Sequence, residues 1–180
     1  MKTAKIIFLI LLTFFFFSCK KKEVQKKNFY DFESEVFSEV FTEIVDSTYQ
    51  DGRLYFKFPD LISIEARKVL LEKDTTRIVL AIDIEKYKLD LKKYNNRKFE
   101  FKSISEFPRN TNDEIWETKY DFEFAGALYF YPIKFNSTKE KGTLKVLYGC
   151  GTKCGANYEV SIEKENGKWK LEKVEQTGSI

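Results

Sequence analysis

Histidine is absent from all 180 residues. Its absence excludes Ser-His-Asp and Cys-His nucleophile pairs and every His-ligated metal site. Glycine occurs only eight times and cysteine three times, and no P-loop, dinucleotide glycine pattern, serine elbow or EF-hand loop is present. No acidic residue stands in the first 18 positions. The formal charge of +3 is misleading, because Lys2, Lys5 and five lysines among residues 20–27 supply the excess. Residues 29–180 carry 24 basic and 27 acidic groups, a net charge of −3. Nucleic acid is therefore not an expected partner.

What is present begins with an address. Lys2 and Lys5 precede residues 6–17, apolar except for Thr13. This is a signal-peptide hydrophobic region, too short to span a bilayer about 30 Å thick. The run ends Phe16-Phe17-Ser18-Cys19, which resembles the lipobox of bacterial lipoproteins, although Phe16 replaces the usual Leu. The resemblance implies that 1–18 is removed and that Cys19 carries a diacylglyceryl thioether and an acylated amine. More than one acyl chain is what stable membrane attachment requires. Residues 19–28 then form a lysine-rich tether, too polar to bury a core. No Asp immediately follows Cys19, which by the same resemblance implies the outer membrane of a bacterial envelope, with the facing direction open.

Residues 29–180 read as one α+β domain. Phe29, Phe32, Val36, Val40 and Phe37, Phe41, Ile44, Val45 follow helical spacing, opened by Asn28 and Asp31 and stopped by Asp51-Gly52. Segment 53–58 suggests a short strand broken by Pro59-Asp60, and 61–73 a second helix capped by Asp60 or Ser63. Strands are expected over 75–84, 97–103, 120–123, 127–135, 143–148, 156–163 and 168–174, whereas 85–94 fits both periods. Asn166-Gly167 predicts a two-residue type I′ hairpin that sets Ile162 opposite Leu171, Glu163 opposite Lys170 and Glu165 opposite Lys168. The expected architecture is a long N-terminal helix packed on a curved antiparallel sheet of five or six strands, a layout shared by cystatin-like and nuclear-transport-factor-like cones.

Three groups of residues invite a functional reading. Glu35, Glu39 and Glu43 fall at i, i+4 and i+8, placing one acidic row opposite the helix's apolar face, where a basic partner or only solvent would meet it. Cys150 and Cys154 flank a tight loop between strands, and in an oxidising compartment they should form a disulfide. A redox pair would want two intervening residues at a helix N-terminus, and metal binding would want further ligands. The many carboxylates between Asp83 and Glu123 show no spacing that nominates an acid–base pair. Neither a cofactor nor a metal is expected. The 25 aromatics of residues 19–180 sit mostly at core periodicity.

Phe135-Asn136, Cys150, Cys154-Gly155, Tyr158 and Gly167-Lys168-Trp169 give the C-terminal third the look of a family of uncharacterised bacterial envelope proteins. Those chains commonly finish with Trp-Ile-Ser, where this one has Thr177-Gly178-Ser179-Ile180. The resemblance implies no catalytic residue. The sequence thus leads to a membrane-anchored, non-enzymatic binding protein. A toxin-immunity protein, a carboxylate-based hydrolase and a thiol–disulfide role stand as alternatives.

Overall fold

In a computed structural model of the chain, the described residues are 29–51, 63–73, 75–109, 111 and 113–179. The expected leader, Cys19, the expected tether and the expected strand 53–58 lie outside them. Helix α1 (Phe29–Thr48) buries Val36, Phe37, Val40, Phe41, Ile44 and Val45, each at most 1% exposed. Burial of each larger side chain contributes about 1.5–3 kcal/mol. Its last turn tightens where Thr48 Oγ1 donates to the Ile44 carbonyl at 2.8 Å and the Tyr49 N–H to that of Val45 at 2.9 Å. Helix α2 (Ile64–Lys73) starts with the Ser63 hydroxyl accepting the Ala66 N–H at 3.2 Å, a helix-starting bond.

The strands are β1 (Ile78–Asp83), β2 (Phe99–Ser103), β3 (Glu123–Phe130), β4 (Lys134–Phe135), β5 (Lys141–Gly151), β6 (Cys154–Glu165) and β7 (Lys168–Ser179). They form one sheet in the order β2-β1-β3-β5-β6-β7, with β4 beside β5. The helix-on-sheet expectation holds, but among the described residues the sheet has seven strands and is mixed. β1 pairs in parallel with both β2 and β3, and only the β3 to β7 part is antiparallel. Residues 85–94, ambiguous in period, form a turn and a 3-10 helix (Leu91–Tyr94) within the β1–β2 crossover. The expected strand at 127–135 instead begins at Glu123 and stops at Phe130, before Pro132, which has no N–H for a ladder. Residues 120–122 are a bend leading into it.

The parallel centre explains the apolar run 78–82. Ile78, Leu80 and Ile82 face the cluster under α1, whereas Val79 and Ala81 face a second cluster with Ile104, Phe107 and Ile115. β1 is thus covered on both faces, as parallel strands usually are. At the other end, Asn166 and Gly167 have φ of 50° and 84°, as a type I′ turn requires. The three expected cross-strand pairs Ile162–Leu171, Glu163–Lys170 and Glu165–Lys168 are all in register. The lysine's ion pair is diagonal, from Lys170 to Glu165 at 3.0 Å.

Candidate functional site

The connections on either side of β1 leave in opposite directions and lie on opposite faces. The β1–β2 crossover packs Tyr87 and Leu91 under α1, while the β2–β3 connection packs Ile104, Phe107 and Ile115 on the far face. Such a switch point leaves a crevice beyond the carboxyl ends of the parallel strands. A crevice of about 490 Å³ is found there, lined by Ile104, Pro108, Arg109, Thr111, Ile115 and Tyr129. Tyr129 lies opposite Asp83 in the β1–β3 ladder. Burial holds its phenol above the ordinary range, the Asp83 charge adds to this and Arg109 opposes it, so Tyr129 stays a hydrogen-bond donor. The Arg109 guanidinium lies 3.7 Å from Glu85, a loose and exposed contact. A second crevice of about 490 Å³ flanks the end of β2, with Asp90, Lys92, Asn95, Lys102 and Glu106 among its lining residues.

The arrangement suits a small polar ligand. Arg109 offers a fork that matches a carboxylate or phosphate, Tyr129 and Thr111 offer hydroxyls, and Ile104, Pro108 and Ile115 supply an apolar wall. Acid–base hydrolysis would want two converging, desolvated carboxylates. Here Asp83 is half-buried and Glu85 exposed. Among the described residues, no group of three or more Cys, Asp or Glu is placed to hold a metal ion.

All three glutamates of the acidic row are exposed, as the helical spacing predicts, but two of them are engaged. Glu39 and Glu43 reach the border of β7, where their carboxylates accept the N–H groups of Trp169 at 2.7 Å and Leu171 at 3.0 Å. Their spacing, read as facing either a basic partner or only solvent, matches alternate amides of β7. Glu35 is exposed one turn earlier. Cys150 and Cys154 are joined by a disulfide with Cα atoms 5.1 Å apart, across the β5–β6 turn. Both flanks are strands, and no helix N-terminus adjoins them in sequence to activate a thiol.

Sequence reasoning missed two features. Arg109 and Tyr129 meet only because β1 and β3 run parallel, which periodicity does not encode. Glu33 is a buried carboxylate, 5% exposed, and it falls four residues before Phe37 on the helix's apolar face. That position was its available signal. No family model, curated protein or solved structure matches the chain.

Proposed function

We propose that this chain is a lipid-anchored bacterial envelope protein that acts by binding rather than by catalysis. The observation that carries the reading is the leader: Lys2 and Lys5, an apolar run, then Ser18-Cys19 and a lysine-rich stretch. Acylated Cys19 would hold the domain at the membrane, with the lysines against anionic headgroups and the outer membrane as the destination. Among the described residues no helix is long and apolar enough to cross a membrane. A helix resting on one face of a sheet supports analogy with cystatin-like or nuclear-transport-factor-like cones, an analogy that concerns shape alone. The ligand site is the crevice of Arg109, Thr111 and Tyr129. It supports a binding role because it collects donors and an apolar wall without a converging acid pair.

The test is fatty-acid labelling of cells with an alkyne analogue, followed by crosslinked co-purification from native membranes. The wild-type chain should be labelled, membrane-bound and accompanied by a stoichiometric partner or ligand, and Cys19→Ala should lose label and membrane together. An unlabelled wild-type chain would remove the anchor. Turnover of an envelope substrate that one Asp or Glu substitution abolishes would remove the binding reading.

A further inference from the structure

Among the described residues, the outermost strands of the main strand order, β2 and β7, are shielded by side chains except along one stretch of β7. On β2, the amides of Phe99, Phe101 and Ser103 donate to Asn96 Oδ1 at 2.8 Å, Asn95 Oδ1 at 2.8 Å and Glu106 Oε1 at 2.9 Å. On β7, Trp169 and Leu171 donate to Glu39 and Glu43. A register shift follows opposite Ser161 and Ile162. From Glu172 onward, no side chain among the described residues accepts a β7 amide at this border. An unshielded border strand is a template for another strand.

We infer that two copies of this chain associate by antiparallel pairing of residues 172–176 of β7, with Val174 on the two-fold axis. Charge selects the register. With Val174 opposite itself, Lys173 of each copy faces Glu175 of the other, so both flanking pairs are attractive, and Glu172 faces Gln176. A shift by one residue that pairs 172 with 175 sets two glutamates against each other. A register centred nearer the turn would need the amides that Glu39 and Glu43 already hold. Lys173 and Glu175 are exposed and lie 2.6 Å apart within one copy. Val174 packs against the core under α1, which fixes the strand that presents them. An isologous contact of this kind closes at two copies.

Sedimentation of the full-length chain in detergent tests this. The wild type should show a concentration-dependent dimer. Lys173→Glu alone and Glu175→Lys alone each turn two attractive cross-strand pairs repulsive and should weaken the dimer about tenfold. Mixing those two variants should restore it, because an acidic strand then meets a basic one. The double variant Lys173→Glu/Glu175→Lys keeps the 173–175 ion pairs within and between copies, and should dimerise with itself but not with the wild type. A wild type that stays monomeric at every concentration, or a double variant that exchanges freely with the wild type, overturns the proposal.

Discussion

Glu33 Oε1 accepts the backbone N–H of Ile133 at 2.6 Å, across 100 residues of sequence, and the hydroxyl of Tyr87 at 3.3 Å. The same hydroxyl lies 3.0 Å from the carbonyl of Tyr131. One carboxylate on the first turns of α1 thereby ties the helix to the β1–β2 crossover and to the segment after β3. Glu33→Ala strands the Ile133 N–H in a buried site and should cost about 2–4 kcal/mol. Urea unfolding of the variant checks this, and an unchanged midpoint would refute it.

Stability should fall above pH 10. Burial raises the Tyr87 phenol, with the Glu33 charge adding to it, and burial likewise raises Tyr148. A group with a raised folded-state pKa stabilises fully below its unfolded value near 10 and loses that contribution as pH climbs toward the folded value. Each such group should steepen the decline by up to about 1.4 kcal/mol per pH unit. Melting temperatures across pH 8 to 11 should show the slope, and Tyr87→Phe should flatten it even though its stability at pH 8 is lower. A Tyr87→Phe slope as steep as the wild type's would assign the effect elsewhere.

Glu39→Ala and Glu43→Ala should each cost about 1 kcal/mol, the solvent around these carboxylates discounting a charged hydrogen bond to the lower end of its range. The sharper signature is local: hydrogen exchange should accelerate at Trp169 in the first variant and at Leu171 in the second. Equal protection in both variants would mean that the carboxylates do not hold the strand.

Replacing Cys150 and Cys154 together with Ser opens a small ring and should cost about 2 kcal/mol by the loop-entropy model, with the fold retained. β5 and β6 stay paired from Lys141–Glu163 to Gly149–Gly155 without it. Loss of folding in that variant, judged by circular dichroism, would contradict the estimate.

Gly126 has φ of +126°, and a Cβ there would collide with the Gly149 carbonyl oxygen, which is backbone and cannot move aside cheaply. Gly126→Ala should cost more than about 2 kcal/mol, strain and overpacking acting together. The position sits in the β1–β3 register shift, beside Ala125, whose carbonyl lies 2.6 Å from the Tyr148 hydroxyl. A melting temperature within a degree of the wild type's would show that the ladder yields there.

α1 and the final hairpin were legible because local signals carried them: a 3.6-residue stripe from Val36 to Val45, and an Asn-Gly pair between alternating strands. The β1–β2–β3 centre was not. The run 78–82 announced a buried strand, but whether its neighbours run parallel depends on which face each crossover takes, and that is decided by tertiary packing of Leu91 and Phe107. The crevice inherits this illegibility, since Arg109 and Tyr129 approach only through that pairing. The acidic row was visible as a pattern, but its destination in β7, 130 residues away from Glu39, was not.

The clasp between Glu39 and Trp169 makes the cover of the first described helix depend on a strand 130 residues away. α1 precedes every described strand in the chain, yet the amides that hold its outer flank belong to β7. A chain cut before Lys168 would carry a helix whose apolar side lacks the Trp169 and Val174 cover. Truncation upstream of β7 would therefore open the core at the helix as well as at the sheet border.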